Sequence, residues 1–330
     1  MRPEGDLVEE LATRVLAGER RGLAQAVTLV ESTLPAHTER AQRLLERILP
    51  HTGASVRVGV TGVPGVGKST FVDALGAHLL SLGKRVAVLA IDPSSSVSGG
   101  SILGDKTRMP RLAISERAFV RPSPSSGALG GVARSTREAS LLCEAAGFDV
   151  VLIETVGVGQ SEIAVAGMVD VFLLLMLARA GDELQGIKRG ILELADLVAI
   201  TKADGDNAPH AENARLLFSQ ALALLHGNTD AGAPPVVTVS ALESRGIEPL
   251  WQLIQQRHDA LRDSGALARK RSSQRHTWFL EVLENAVRAR FFADRAVSAH
   301  LAEVSAQVAR AEITPEEGAR RLLELQGRQG

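Results

Sequence analysis

The chain has 330 residues, of which 45% are hydrophobic and 23% charged, and a formal net charge of −1. This composition is typical of a globular protein with ample core-forming material, either one large domain with additions or two small domains. The near-zero net charge gives no sign of a nucleic-acid or membrane partner, and a single cysteine excludes a disulfide framework.

We expect neither a secretory signal peptide nor a membrane span. The first residues of the chain lack the apolar core of a signal peptide, and its longest apolar run, residues 171–178, is far shorter than a membrane span. The lone Cys143 fits a reducing compartment. We therefore expect a cytoplasmic protein that binds neither membranes nor nucleic acid.

The N-terminal part predicts helices only. Over residues 5–49, apolar side chains recur at helical spacing, as at Leu7, Leu11 and Val15, in a pattern that fits two or three helices. We assign residues 1–54 to a helical extension that packs on the main domain.

Short β-branched runs alternate with helical segments from residue 55 to residue 263. Continuous apolar strands between helices predict an α/β fold, with a mostly parallel sheet covered on both faces. Ligands of such sheets bind at the carboxyl ends of the strands. The predicted strands are Val56–Thr61, Val86–Ile91, Ala118–Arg121, Val150–Glu154, Val169–Leu177, Leu197–Thr201 and Val236–Ser240, and helices are predicted near 68–82, 130–146, 182–195, 208–226 and 246–263.

The first predicted strand leads into a complete P-loop pattern, Gly62-x-x-x-x-Gly67-Lys68-Ser69. Its glycines let consecutive N–H groups point at a phosphate chain, and the helix that follows adds the positive end of its dipole. Lys68 is expected to reach the β- and γ-phosphates, and Ser69 to ligate Mg²⁺. The residues predicted to bind phosphate are Gly62, Val63, Pro64, Gly65, Val66, Gly67, Lys68, Ser69 and Thr70.

Carboxylates follow two further predicted strands. Asp92 ends the second strand and opens a long Gly/Ser-rich loop that contains Asp105. Both are oxygen ligands suited to Mg²⁺, directly or through water, although lone loop aspartates are commonly solvated or capping residues. Glu154 closes a core strand, where a Walker B carboxylate is expected. The predicted metal ligands are Ser69, Asp92, Asp105 and Glu154.

The segment after Glu154 is expected to respond to the γ-phosphate. The backbone N–H of Gly157 is placed to approach that phosphate, and the segment can then change shape when the phosphate leaves. Gln160 has two interpretations, one as the residue that orients the attacking water and one as a helix-capping residue. The predicted catalytic residues are Lys68, Glu154, Gly157 and Gln160.

Two later stretches favour guanine over adenine. Thr201, Lys202 and Asp204 follow a predicted strand and resemble the Asn/Thr-Lys-x-Asp motif, whose Asp accepts from guanine N1 and the exocyclic amine. The stretch Ser240-Ala241-Leu242 resembles the loop whose backbone N–H meets guanine O6. Together they predict a GTP site.

Residues 264–330 are predicted to be helical, with four of the chain's ten aromatic side chains in one helical stripe. That stripe has two interpretations, an intramolecular packing face or a dimer seam. Its members are Trp278, Phe279, Val282, Leu283, Val287, Phe291 and Phe292.

Several long motifs resemble the MeaB/ArgK family, the G-protein chaperones of adenosylcobalamin-dependent acyl-CoA mutases such as methylmalonyl-CoA mutase. The resemblance runs from the N-terminal helices to the C-terminal arm. One departure is Thr201, where the family usually has Asn. The motifs are Gly62-Val-Pro-Gly-Val-Gly-Lys-Ser, Asp92-Pro-Ser-Ser, Gly99-Gly-Ser-Ile-Leu-Gly-Asp-Lys-Thr-Arg-Met, Arg121-Pro-Ser-Pro-Ser-Ser-Gly, Glu154-Thr-Val-Gly-Val-Gly-Gln-Ser-Glu and Gly181-Asp-Glu-Leu-Gln-Gly-Ile-Lys-Arg-Gly.

This resemblance implies a homodimeric SIMIBI-type P-loop GTPase that uses GTP/GDP and Mg²⁺, with residues 264–330 as its dimerisation arm. Its partner would be an adenosylcobalamin-dependent acyl-CoA mutase, whose cofactor loading, protection and reactivation it would gate, with an adenosyltransferase as a further partner. The implied switches are Asp92–Arg108, Glu154–Ala166 and Ala178–Lys188. Within the last of these, Asp182, Glu183 and Lys188 would relay the nucleotide state. The other interpretation is a charged helix N-terminus, whose dipole favours Asp182 and Glu183, followed by a solvated lysine.

Two other functions stay open at this stage. A P-loop kinase would need an acceptor pocket and a base near the γ-phosphate, and the sequence offers neither clearly. A GTPase that delivers nickel would need a cysteine and histidine cluster, whereas the chain has one cysteine and unclustered histidines. No arginine finger is assigned, although Arg108 is a candidate, so slow intrinsic hydrolysis is expected.

Overall fold

The computed structural model describes residues 4–92, 109–124, 129–155, 161–178, 189–226 and 232–326. The chain divides into two compact units, residues 1–271 and residues 272–330. The three-part division predicted from the sequence, with boundaries after residues 54 and 263, stays a prediction.

The first unit is built on a seven-stranded sheet in the order β3-β2-β4-β1-β5-β6-β7, and all of its strand pairs are parallel. The predicted α/β architecture is confirmed. The strands are β1 (Val56–Gly62), β2 (Val86–Asp92), β3 (Ala118–Pro124), β4 (Val150–Glu154), β5 (Val171–Leu177), β6 (Leu197–Thr201) and β7 (Val236–Thr238).

Helices cover both faces of this sheet, and a further set forms the second unit. Within the described ranges of the first unit, the 3₁₀ turns Leu49–His51 and Gly205–Asn207 connect neighbouring elements. The helices are α1 (Glu4–Leu16), α2 (Arg20–Glu31), α3 (Pro35–Ile48), α4 (Lys68–Ser81), α5 (Pro110–Ala113), α6 (Leu129–Ala145), α7 (Ser161–Ala166), α8 (Arg189–Leu194), α9 (Ala208–His226), α10 (Ile247–Asp263), α11 (Ala266–Ala293), α12 (Arg295–Ala309) and α13 (Pro315–Gln326).

Three strands differ from the sequence prediction by two residues or more at one end, and one of them, β7, ends at Thr238 rather than Ser240. The edge strand β3 continues three residues beyond Arg121 through Pro124, because an edge strand tolerates proline where a central strand would lose a ladder bond. The strand β5 begins at Val171 rather than Val169. The Asp170 carboxylate just before it accepts from the backbone N–H of Arg57 at 2.9 Å, so this residue caps the strand instead of extending it.

The core lies on both faces of the sheet because successive strand side chains alternate. On one face, α4 and α10 pack over the central strands and bury Phe71 and Trp251 completely. On the other face lies α6, which is itself covered by α1, α2 and α3. The helix α9 covers β6 and β7 on that second face.

The amino edge of the sheet is held by a buried ionic network. Arg271 donates to both carboxylate oxygens of Asp170, at 2.8 and 2.7 Å, and to the carbonyl of Ser55 at 2.7 Å. Glu144 accepts from the Gly53 N–H at 2.5 Å and from the Arg57 guanidinium. Buried charges of this kind are tolerated only when they are paired and hydrogen-bonded, and removing one partner costs about 3–5 kcal/mol.

The second unit consists of the outer part of α11 together with α12 and α13. The helix α12 begins at an Asp294 cap, whose carboxylate accepts from the N–H groups of Ala296 and Val297 at 2.8 and 3.2 Å. The helices α12 and α13 pack closely at Gly318, where a side chain would meet Val308. Of the helices described in either unit, none combines the length and apolar character needed to cross a membrane.

One buried acid in the first unit predicts a pH dependence of stability. Glu138 of α6 is 2% exposed, and burial raises its pKa to about 7 against the opposing effects of Arg134 and Gln42. Between about pH 4.5 and pH 7, Glu138 is protonated in the folded protein and ionised in the unfolded chain. The free energy of unfolding that Glu138 contributes is therefore present at low pH and is lost as the pH rises through this interval.

We expect Glu138→Gln to remove this dependence. Between pH 5 and pH 8, the free energy of unfolding of the unaltered protein should fall by about 2–3 kcal/mol more than that of the variant. Urea unfolding across this range measures it, with Glu39→Gln on the exposed side of α3 as the control. An identical pH slope in the Glu138→Gln variant and the unaltered protein would contradict this assignment.

Candidate functional site

The site forms where the carboxyl ends of β1, β4 and β6 meet. The loop between β1 and α4 carries the P-loop residues, and two of its glycines are sterically required. A side chain at Gly62 would lie 2.5 Å from the Leu175 carbonyl of the neighbouring strand. Gly67 has φ 93°, a left-handed conformation that glycine adopts without strain, and it immediately precedes α4. The helix N-terminus is thereby aimed at the loop, as an anion site requires.

Lys68 is the first residue of α4, and its side chain folds back over the loop. Its ammonium donates to the carbonyls of Gly62 at 2.8 Å and Val63 at 3.1 Å, and the residue is buried. Burial lowers the pKa of Lys68, while the carboxylates of Glu154 and Glu162 act in the opposite direction. The cation thus lies inside the loop, next to the place where an anionic phosphate chain would supply its counter-charge.

Ser69 and Glu154 form the second element of the site. The Ser69 hydroxyl donates to Oε1 of Glu154 at 2.9 Å, although the two residues are 85 positions apart in the sequence. Two oxygen ligands that occupy neighbouring positions around Mg²⁺ are separated by about 2.9 Å, so this pair fits that ion. No three histidine, cysteine or carboxylate residues of the described ranges cluster as a metal site. Mg²⁺ is nevertheless well served by two protein ligands, because it usually keeps several waters.

Several other residues predicted to lie near the phosphates are outside the described part of the chain. Asp92 ends β2, but its side chain lies outside the described part of the chain. Gly157, Gln160 and Asp105 also lie outside the described residues, as do Arg108, Asp182, Glu183 and Lys188 of the other implied switch segments. Their roles stay predictions.

The base motif is arranged by side chains from two loops. Ser240 donates its hydroxyl to Oδ2 of Asp204 at 2.8 Å, which leaves Oδ1 for a ligand. Lys202 adopts a positive φ of 56°, and its carbonyl accepts from Asn207 at 2.6 Å. The same lysine reaches back toward the P-loop, since a side-chain carbon at Gly67 would lie 3.9 Å from its Cε. The base loop and the phosphate loop are therefore adjacent.

Thr201 joins these two loops directly. Its buried hydroxyl lies 2.8 Å from the carbonyl of Val66 in the P-loop and 3.2 Å from that of Met176. The single hydroxyl proton favours the nearer acceptor. Thr201 thus supplies a hydrogen-bond donor to the phosphate loop.

Sequence reasoning missed the residues that hold the base motif in place. Arg245 donates to the carbonyl of Ala203, and Asn207 fixes Lys202 as described above. It also missed a hydroxyl pair, Thr61 and Thr155, at 2.8 Å between the ends of β1 and β4. Only Thr155 carried a signal, because it directly follows the predicted Walker B residue.

A P-loop next to a guanine-type motif at one end of a parallel sheet defines the class of P-loop GTPases, and comparison with known proteins agrees. Residues 23–296 match the family model described as methylmalonyl Co-A mutase-associated GTPase MeaB. The chain belongs to this family, and it is a GTPase.

Relatives with about half of their aligned residues identical to this chain align over most of its length. A probable GTPase of Mycobacterium tuberculosis is 52% identical over 98% of this chain and 96% of its own length. The GTPase ArgK of Escherichia coli K12 is 49% identical, with 98% and 97% covered. The mitochondrial methylmalonic aciduria type A homolog of Mus musculus is 48% identical, with 86% and 71% covered. A crystal structure titled LAO/AO transport system kinase superposes with a TM-score of 0.77 at 41% identity, covering 99% of both chains.

The Thr201 contact predicts a graded effect on nucleotide binding. In Thr201→Val, the Val66 carbonyl loses its donor while the side-chain shape is kept, so we expect GDP affinity to fall about five- to tenfold. Thr201→Ser keeps the hydroxyl and should bind GDP within about twofold of the unaltered protein. Isothermal titration measures both. Unchanged affinity in the valine variant would show that the Thr201 hydroxyl does not support the P-loop.

Proposed function

We propose that this protein hydrolyses GTP at the P-loop site in order to control the adenosylcobalamin cofactor of an acyl-CoA mutase. The observation that carries the GTP site is the convergence of the phosphate loop and the Asp204 motif, linked by the Thr201–Val66 hydrogen bond. The mutase role rests on membership of a family described as methylmalonyl Co-A mutase-associated.

Hydrolysis in this proposal needs positioning and charge neutralisation, without a covalent intermediate. Lys68 exchanges its bonds to the Gly62 and Val63 carbonyls for bonds to the β- and γ-phosphates. The N–H groups of the loop residues Gly65 and Gly67 hold the same phosphates. Ser69 and Glu154 would hold Mg²⁺, which when bound neutralises developing charge on the phosphate oxygens.

Residues beyond the described ranges complete this proposed site. Gly157 supplies a backbone N–H to the γ-phosphate, Gln160 orients the attacking water, and Asp92 and Asp105 support the metal ion. Since no arginine is assigned to the transition state, intrinsic turnover is slow and a bound partner raises it.

The proposed partner is an adenosylcobalamin-dependent acyl-CoA mutase, whose cofactor loading, protection and reactivation are gated by the nucleotide state. The mouse relative named for methylmalonic aciduria supports a client of the methylmalonyl-CoA mutase kind. An adenosyltransferase is proposed as a second partner, as the source of the cofactor. A cytoplasmic location completes the proposal.

The first test measures phosphate release from GTP and from ATP, with and without such a mutase from the same source. We expect GTP to be preferred and its turnover to rise when the mutase is added. Lys68→Ala should lower turnover at least about 100-fold, because it removes the cation at the transferred phosphoryl group. Lys84→Ala, which removes a lysine next to the opposite end of β2, is the matched control.

The outcomes separate the proposal from its alternative. Normal turnover in Lys68→Ala would refute the site. Phosphate transferred to an acceptor, with ATP preferred and no response to the mutase, would instead establish a P-loop kinase.

Base selectivity is tested at Asp204. In Asp204→Asn, the Ser240 hydroxyl can still donate to the remaining side-chain oxygen, so the new amide NH₂ faces the base. That group donates where guanine also donates, whereas it complements the O2 carbonyl of xanthine. We expect GTP affinity to fall at least about 100-fold, with preference shifting to XTP. Asp206→Asn, at an exposed neighbouring position, should keep GTP preference. Retained GTP preference in Asp204→Asn would contradict the guanine assignment.

We also propose that the second unit mediates homodimerisation, within the C-terminal arm of residues 264–330. Most of the predicted apolar stripe of α11 is exposed in the described chain, which supports a seam with another copy over an intramolecular packing face. A soluble chain rarely leaves so many large apolar side chains on one helix without a partner. The exposed members are Phe279, Val282, Leu283, Val287 and Phe292.

Sedimentation equilibrium tests this arm. The unaltered protein should be a dimer, and the double variant Phe279→Glu/Val287→Glu should be a monomer, because it places charges in the apolar seam. Leu224→Glu changes a leucine that is 85% exposed on α9 and should remain dimeric. A dimer that persists in the double variant would place the interface elsewhere.

A further inference from the structure

Two buried threonine side chains meet at the carboxyl ends of β1 and β4. The hydroxyl oxygens of Thr61 and Thr155 are 2.8 Å apart, and both residues are 1% exposed. Thr61 directly precedes the first glycine of the P-loop, and Thr155 directly follows Glu154, the last residue of β4. The pair therefore joins the two chain segments that carry the proposed Mg²⁺ ligands Ser69 and Glu154.

The threonine pair lies on the face of the sheet opposite to these ligands. Successive side chains along a strand alternate between the two faces. Glu154 points toward α4, where it accepts from the Ser69 hydroxyl at 2.9 Å, so Thr155 points to the other face. Thr61 points to that same face, because it meets Thr155 there. The two hydroxyls thus act on a metal ion through the placement of Glu154.

Thr155 is fixed to β1 by its backbone as well as by its side chain. Its N–H donates to the carbonyl of Val60 at 3.0 Å, which continues the pairing of β1 with β4 one residue beyond Glu154. Two bonds on the residue after Glu154 restrict the peptide that joins them, and hence the direction in which the Glu154 side chain leaves the sheet. Because functional side chains must be held within about 0.5 Å of their productive positions, this restriction bears on the metal site.

Stability alone does not account for a pair of hydroxyls at this place. Replacing both partners of a buried hydrogen bond by apolar groups of the same shape is nearly neutral or stabilising. The two hydroxyls carry two protons, and the bond between them uses one. Within the described part of the chain, neither hydroxyl has another partner. What the pair provides beyond an apolar contact is a fixed distance and direction between the strand ends.

We propose that the Thr61–Thr155 pair is a positioning element for the Mg²⁺ ion that accompanies the nucleotide, an inference that rests on the proposed GTP site. The hydroxyl bond holds Thr155, and with it Glu154, at a fixed place relative to the P-loop. Oε1 of Glu154 and Oγ of Ser69 then stay at the spacing of neighbouring Mg²⁺ ligands. The threonines themselves contact neither the metal ion nor the nucleotide.

The test measures the release of fluorescently labelled GDP from the full chain over a range of free Mg²⁺ concentrations. In Thr155→Val, which keeps the shape and loses the bond, the Mg²⁺ concentration at half-effect should rise at least about fivefold. Thr155→Ser keeps the hydroxyl and should stay within about twofold of the unaltered protein. The matched control is Thr52→Val, which removes a bond to the Leu49 carbonyl near the amino end of β1 and should not change the Mg²⁺ requirement.

The double variant Thr61→Val/Thr155→Val separates positioning from stability. It leaves no unpaired hydroxyl, so its urea unfolding midpoint should be close to that of the unaltered protein. Its Mg²⁺ requirement should rise as much as that of Thr155→Val, because both variants lack the same bond. GDP affinity in EDTA should stay unchanged in every variant, since the P-loop contacts to phosphate are kept. The double variant decides the question if Thr155→Val does not fold.

The outcomes distinguish this inference from the proposed function. An unchanged Mg²⁺ requirement in the double variant would overturn the positioning role, and so would a loss of GDP affinity in EDTA as large as that in Mg²⁺. If Glu154→Gln raises the Mg²⁺ requirement while the threonine variants do not, the metal site stands and the positioning role is refuted. If Mg²⁺ does not slow GDP release from the unaltered protein, both are refuted.

Discussion

The parallel pairing of β1 with β4 on one side and β5 on the other is the constraint on which the site depends. This register places Val60 opposite Glu154 and Gly62 opposite Leu175, so that the P-loop leaves the sheet beside the Walker B position. It also explains why position 62 requires glycine, because the carbonyl of Leu175 occupies the space that a Cβ would take. Without that pairing, Ser69 and Glu154 would not meet.

The two ends of the parallel strands have different roles: residues at the amino ends stabilise the fold, and residues at the carboxyl ends form the ligand site. At the amino edge, the buried side chains of Asp170 and Arg271 are hydrogen-bonded to each other, and these bonds contribute to stability. At the carboxyl edge, Lys68, Ser69 and Asp204 are held by one or two hydrogen bonds each to groups of the protein itself. Such contacts keep the side chains oriented before a nucleotide arrives, which lowers the cost of binding, and they can be exchanged for contacts with the ligand.

The N-terminal helices add a further layer outside the usual arrangement of one helix layer on each side of a sheet. Because α1, α2 and α3 cover α6, that helix is buried on nearly all sides, and it carries polar residues such as Glu138 into the interior. A polar group in that position is costly unless it is neutral or paired.

The sequence by itself determined the strand and helix pattern, the P-loop and the guanine-type motif, because each depends on residues that are close together along the chain. The long run of β3 through Pro124 was missed, since tolerance of proline depends on that strand lying at an edge. Only the tertiary structure decided the strand order, the Thr201 bond to Val66 across 135 positions and the Arg271 bond to Asp170 across 101. The type of a residue determines which bonds its side chain can make. Its actual partner depends on how distant segments pack, and no local sequence pattern contains that information.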